Sequence, residues 1–345
     1  MVRNRVQCII PPYVLEAIEA NGTPEQRARA AATLRIDAVV RADRAEAPTA
    51  PPQPAADVTA HRRIYDAGNT TNLPGTLVRD EGDPDSADVC VNEVYDGFGT
   101  TLDLYGQVYS RNSVDDAGLD LIGTVHYATD FNNAMWDGEQ AIFGDGDGSI
   151  FNRFTIAIDV IGHELTHAVT QYTAGLAYRN QSGALNESIS DVFGSLVKQY
   201  HASPRQTADE ADWLIGAGLW APRIHGAALR SMKAPGTAYE DPLVGKDPQP
   251  ATMDGYVTTR QDNGGVHLNS GIPNHAFYLA AVSFGGYAWE KAGRVWYDAL
   301  TDPSLSSNAG FLEFAQLTVQ KAEALFGADG RQRIHDAWAQ VSITT

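Results

Sequence analysis

Cysteine is scarce in this chain of 345 residues, with Cys8 and Cys90 the only two. Two thiols cannot build a disulfide framework, so a chain of this length is held by its apolar core. Long apolar runs are also missing. No stretch reaches the roughly 18 apolar residues that a membrane-crossing helix needs. Near the start, Arg3 and Arg5 precede the mostly apolar stretch Val6 to Ile10, but Pro11 and Pro12 cut it short of a signal-peptide core. Positive charge is in deficit, with 25 Lys and Arg against 43 Asp and Glu and a net charge of −18. That balance excludes attachment to nucleic acid or anionic membrane through a general basic surface.

What is present divides the chain by pattern. In residues 13 to 44 the apolar positions Tyr13, Val14, Ala17 and Ile18 recur at helical spacing. Asn21-Gly22 then stops one helix and Thr23-Pro24-Glu25 starts a second. The Pro/Ala stretch from Ala47 to Pro54 reads as an extended, protease-accessible linker. From about 57 to 152, short alternating runs between Gly, Asn and Asp clusters predict a mainly antiparallel β unit. Beyond 153 the period becomes helical, with a long helix over Thr155 to Thr173 and others near 183 to 200, 272 to 284, 287 to 300 and 308 to 326. The expected fold is therefore α+β. Its parts are a helical preface over 1–47, a linker over 48–56, a β-rich half over 57–154 and a helical half over 155–345.

The sharpest chemical signal lies on the first helix of the helical half. His163 and His167 in His-Glu-Leu-Thr-His stand four residues apart and project from one face, as two ligands of a tetrahedral zinc require. Glu164 is offset by about 100° and can reach the attacking water without being a ligand. A catalytic zinc needs a third protein ligand and an open position. Glu187 on the following predicted helix is the candidate, and Asp191, one turn on, is placed to hold the free ring nitrogen of a ligating histidine.

Beyond the zinc helix, four more segments matter: Phe131 to Trp136, Ala174 to Tyr178, Leu229 to Met232 and Asp262 to His267. With the zinc helix, and in this order, they resemble the signature segments of the thermolysin family of zinc metalloendopeptidases. The resemblance implies that Tyr178 and His267 stabilise the oxyanion, with Asp262 orienting the histidine. It implies that Asn133 and the backbone of Ala134 hold an extended peptide substrate. Arg230 would bind the carbonyl just past the cut, and Phe151, Phe154, Val160 and Leu229 would wall the next pocket. Cleavage on the amino side of bulky hydrophobic residues follows. For each of those four residues, plain core packing is the competing reading.

Two features depart from the family pattern. Asp159 and Asp212 match carboxylates of the double calcium site of thermolysin, but Lys198, Leu214 and Ala217 stand where further carboxylates are expected. The expectation is that this site is lost, with Lys198 as an internal counter-ion. The acidic runs 80–85 and 144–148 lack a helix-loop-helix calcium pattern and read as turns. The short preface with Pro11, Pro12 and Tyr13 resembles the protealysin-type branch. A zymogen is implied, in which that region packs near the cleft as an intramolecular inhibitor. Cys8 raises a narrower idea, a thiolate cap on the zinc.

The sequence is thus read as a zinc-dependent endopeptidase precursor acting on peptides and proteins. It is expected to be monomeric, to bind neither nucleic acid nor membrane, and to be secreted without a cleaved leader. The alternatives are a catalytically silent peptide-binding protein and a cytoplasmic location.

Overall fold

A computed structural model describes residues 7–43 and 60–345. The linker expected at 48–56 and the boundaries at 47 and 57 lie outside the described residues. The preface forms two helices where the spacing placed them. In α1 (Pro12–Asn21), Pro11 takes the cap position and Pro12 the first turn, where a missing N–H costs nothing. In α2 (Pro24–Asp43) the entry is closed by a reciprocal capping box. The Thr23 N–H donates to Gln26 Oε1 at 2.9 Å and the Gln26 N–H to Thr23 Oγ1 at 3.4 Å.

The β-rich half is built on a six-stranded sheet. Its strands are β1 (Gln7–Cys8), β2 (Arg62–Asp66), β3 (Thr76–Arg79), β4 (Leu121–Val125), β5 (Ala134–Trp136) and β6 (Ala141–Phe143), in spatial order β1-β5-β6-β4-β2-β3. The sheet is mixed: three of its five pairings are antiparallel, while β2 with β4, and β4 with β6, run parallel. A parallel pair needs a long crossover, and here it contains α3 (Val89–Asp103), continued by a π-helical turn over Leu104–Val108. The sequence hid α3 because its buried positions Val91, Val94 and Phe98 are interleaved with Gly97, Gly99, Thr100 and Thr101, all poor helix formers. The strand β1 belongs to the preface, so Gln7 and Cys8 complete the sheet of the β-rich half.

In the helical half, α4 (Ile158–Gln171) starts after a 3₁₀ turn over Phe154–Ile156, three residues later than the periodicity placed it. It packs on α5 (Asn180–His201) with almost no space between the backbones. A Cβ on Gly194 would lie 2.4 Å from the Asp159 carbonyl oxygen, and one on Gly162 would lie 3.0 Å from Val197. Only glycine permits that approach. It sets the separation of the two helices that carry the histidines and Glu187. The remaining helices are α6 (Asp262–Asn269), α7 (Gly271–Phe284), α8 (Ala292–Leu300) and α9 (Phe311–Gln340). The last is two helical segments joined across a kink at Gly327, whose φ of 67° is non-helical, so the first segment stops at residue 326, where the periodicity ended it. Every residue of α4 from Asp159 to Thr170 is buried, so this helix forms the wall shared by the sheet and the helical half.

Candidate metal centre and peptide cleft

Three side chains from two helices converge at the base of the cleft. His163 Nε2 and His167 Nε2 are 3.0 Å apart, and the Glu187 carboxylate lies 3.6 Å from the first and 3.5 Å from the second. Ligands about 2.0 to 2.1 Å from a tetrahedral ion stand about 3.3 Å from one another, so the three donors fit one zinc. Their far sides are anchored. His163 Nδ1 meets Asp191 Oδ1 at 2.9 Å, while His167 Nδ1 meets Asn186 Oδ1 and Ser190 Oγ, each at 2.9 Å. Both Nε2 atoms are thereby turned inward. Glu187 Oε2 is buried without a hydrogen-bond partner, as a group awaiting a cation would be. Among the described residues, the group placed to hold a metal here is these three, and Cys8 is not in it.

Glu164 sits beside them, fully buried, with no side chain hydrogen-bonded to either carboxylate oxygen. Burial, with the neighbouring Cys8 and Glu187, pushes its carboxyl well above the ordinary range. Across the cleft, His267 Nδ1 contacts Asp262 Oδ1 at 2.6 Å, and the His267 N–H donates to Asp262 Oδ2 at 2.8 Å. That clamp depends on the turn Asn263-Gly264-Gly265, whose φ values of 52°, 91° and 76° fold the aspartate back under the ring. Burial alone would lower the pKa of the ring, but Asp262 and Glu187 outweigh it and raise it. Tyr178 Oη donates to Glu187 and lies 3.2 Å from His267 Nε2.

The preface runs through this cleft. Strand β1 pairs antiparallel with β5, Cys8 opposite Met135, and the Ile9 N–H donates to the Ala134 carbonyl at 3.1 Å. The Ile10 N–H donates to Asn133 Oδ1 at 3.0 Å, and Arg230 Nη1 donates to the Ile9 carbonyl at 2.9 Å. His267 Nε2 donates to the Cys8 carbonyl at 2.8 Å. The thiol of Cys8 donates to the Ile10 carbonyl at 3.6 Å. From α2, Asp37 Oδ2 accepts from Asn133 Nδ2 at 3.0 Å.

The sequence put Pro11, Pro12 and Tyr13 at the cleft. Tyr13 lies in the electrostatic field of Asp247, Asp262 and Arg230 and Pro11 and Pro12 start α1, while the backbone contacts with the cleft come from the adjoining Cys8, Ile9 and Ile10. Phe151, Phe154, Val160 and Leu229 are all buried, and Phe151 stacks on Trp220 with ring centroids 4.9 Å apart. Asn186, Ser190, Asp37 and Asn274, whose Nδ2 donates to Asp191 Oδ2 at 2.8 Å, went unnoticed. Asn274 carried no signal. Asn186 and Ser190 did, since they flank Glu187 on the helix that faces the histidines.

The chain is similar to known proteins over nearly its whole length. Residues 53–171 match the thermolysin metallopeptidase catalytic domain, 174–343 its alpha-helical domain, and 7–35 the protealysin propeptide. An extracellular metalloprotease of Pectobacterium carotovorum subsp. carotovorum is 53% identical over 99% of this chain and 98% of its own length. A thermolysin of Alicyclobacillus acidocaldarius is 42% identical over 78% of this chain and 48% of its own length. Among solved structures, the precursor of protealysin from Serratia proteamaculans superposes with a TM-score of 0.89 at 54% identity, covering 98% of this chain and all of that one.

Proposed function

The chain belongs to the thermolysin family of metallopeptidases and carries a protealysin-type propeptide, and from that premise we propose how its residues divide the work of a latent zinc endopeptidase. His163, His167 and Glu187 hold the zinc. An ion held there would supply Lewis acidity, to polarise the carbonyl to be cut and acidify the attacking water. Glu164 accepts the proton of that water and delivers it to the leaving nitrogen. Its burial supports this role, because a raised carboxyl pKa suits a group that both takes and returns a proton. Tyr178 Oη and His267 Nε2 donate to the oxygen on which charge develops, and Asp262 holds the histidine in place.

A substrate is held by strand addition to β5, with Ala134 and Asn133 on its backbone and Arg230 on the carbonyl past the cut. Phe151, Phe154, Val160 and Leu229 form the apolar wall that selects a bulky residue there. The observation that carries this reading is the lie of the propeptide. Its Cys8 carbonyl is on His267, its Ile9 N–H on Ala134, its Ile9 carbonyl on Arg230 and its Ile10 N–H on Asn133. That is the order in which a substrate would meet them with its scissile bond between Cys8 and Ile9. The propeptide is thus an intramolecular inhibitor that fills the cleft as an extended peptide does.

The finer readings rest on charge and contact. Lys198 Nζ lies 3.3 Å from Asp159 Oδ2 and 2.8 Å from Asp212 Oδ2, and donates to the Leu214 carbonyl at 3.1 Å. An ammonium there occupies the place of a divalent ion, so we read the double calcium site as lost. We read the enzyme as a monomer exported to act outside the cell, with peptides and proteins as its substrates. The name of its Pectobacterium relative supports the location. Among the described residues no helix is long and apolar enough to cross a membrane.

The test is casein hydrolysis by the matured protein with and without a zinc chelator, beside Glu164→Ala. A loss of about 10²-fold or more is expected from the substitution, and near-complete loss from chelation. A twofold effect in either would refute the assignment.

A further inference from the structure

A second convergence of ligand-type side chains stands apart from the catalytic centre. Asp88, Cys90 and His126 each direct one donor atom, a carboxylate oxygen, a thiol sulfur and a ring nitrogen, into a space no more than 4.8 Å across. Asp88 is the N-cap of α3, and its Oδ1 accepts the Cys90 N–H at 2.8 Å. The cap therefore fixes the carboxylate beside the thiol and leaves Oδ2 pointing at His126 Nε2, 2.7 Å away. The other ring nitrogen is clamped: His126 Nδ1 lies 2.8 and 2.9 Å from the two oxygens of Asp145. This repeats the construction of the catalytic site, where Asp191 holds His163 Nδ1 and turns Nε2 toward the other ligands. The nearby Arg153 guanidinium is neutralised by Glu93, with Nε at 2.9 Å, so it presents no uncompensated charge to a cation. Cys90 is buried, while the Asp88 side chain is about two-fifths exposed, so the cluster meets solvent on its carboxylate side.

We propose that Asp88, Cys90 and His126 form a second site for a tetrahedral divalent ion of zinc chemistry, with Asp145 as the carboxylate that orients the histidine. One nitrogen, one sulfur and one oxygen select zinc or its analogues cobalt and cadmium over calcium or magnesium, which take oxygen ligands. Without the ion, Asp88 Oδ2 and His126 Nε2 are closer than two ligands of one ion, and they part by about half an ångström to reach the roughly 3.3 Å that tetrahedral geometry asks. A half-exposed cap residue can make that movement. The inference does not depend on the proteolytic reading, because it uses none of the catalytic residues.

The test uses the full chain carrying Glu164→Ala, so that it does not digest itself, titrated with cobalt(II) alone. Two equivalents are expected, and the spectrum should gain a sulfur-to-cobalt charge-transfer band in the near ultraviolet. Cys90→Ser should remove the band and one equivalent, while Cys8→Ser should leave both. Should Cys90→Ser not fold, Asp145→Asn keeps all three ligands and should weaken only the band-carrying equivalent, by about 10- to 100-fold. One equivalent bearing the sulfur band would place the failure at the catalytic centre and leave this proposal standing. Cobalt binding without the band, or a band that survives Cys90→Ser, would overturn it.

Discussion

Arg230 grips Asp191 with two parallel hydrogen bonds, Nη2 to Oδ1 at 2.7 Å and Nε to Oδ2 at 2.8 Å, in a site closed to water. The same aspartate holds His163 Nδ1, so one carboxylate joins the residue assigned to substrate and a ligand assigned to zinc. Burial alone would raise the Asp191 carboxyl, but Arg230 and His163 hold it below the usual range. Asp191→Asn leaves Arg230 buried without its anion and His163 with a weaker acceptor. A loss of about 3 to 5 kcal/mol in stability and a 10- to 100-fold weaker hold on zinc are expected. Denaturant unfolding and chelator competition measure the two, and an unchanged zinc affinity would break the proposed link.

Asn133 serves the propeptide from both ends of its amide, Oδ1 accepting from Ile10 and Nδ2 donating to Asp37. The first contact is one that a substrate would also make, whereas the second exists only in the precursor. Asp37→Ala should therefore speed self-processing of the precursor about tenfold, the value of one charge-assisted bond. The matured enzyme, having lost that residue, should have an unaltered KM. Asn133→Ala should affect both, hastening maturation and raising KM. Equal processing times for Asp37→Ala and the parent would exclude the latch.

Local chemistry was legible in the spacing of residues, whereas long-range chemistry such as the pairing of Tyr178 with His267 was legible only through the family resemblance. The spacing of His163 and His167 is written within one helical turn, and the Thr23 to Gln26 box within four residues, so both could be read directly. Strand β1 has only two residues and exists because β5, some 127 residues later, supplies its partners. No local pattern announces such a strand. Asp88 and His126, 38 residues apart, likewise meet only because β4 lies against α3. The Ile9 carbonyl on Arg230 is a contact over 221 residues, so no local pattern marks Cys8 to Ile10 as the backbone that meets the cleft.

Lys198 gives a prediction about calcium. Burial works against its charge, but Asp159 and Asp212 overcome that and raise its pKa, so the ammonium persists at neutral pH. Removing calcium with a selective chelator should leave the unfolding temperature of the parent unchanged. Lys198→Glu restores a carboxylate beside Asp159 and Asp212. It should destabilise the apo protein through like-charge repulsion and create a calcium-dependent recovery of the unfolding temperature. A calcium-dependent rise in the parent would contradict the reading.

Glu81 supplies a pH test remote from every metal ligand. Its carboxylate is bonded by the Arg62 side chain, with Nε to Oε2 at 2.7 Å, and accepts from Tyr95 Oη at 3.0 Å. The Tyr95 ring lies between the guanidiniums of Arg62 and Arg79, 3.8 and 3.7 Å from its centroid, so this cluster pins α3 to the sheet edge formed by β2 and β3. The Arg62 hydrogen bond draws the Glu81 pKa down from 4.5 to about 2. With the folded pKa below the unfolded one, the unfolded chain binds this proton first as pH falls, so the stabilisation is full above about pH 4.5 and is lost towards pH 2. Glu81→Gln should accordingly unfold at a lower temperature than the parent at pH 7. The two unfolding temperatures should converge as the pH is taken from 4.5 towards 2. A gap of constant size across that interval would mean that the carboxylate charge contributes nothing to holding α3 on the sheet.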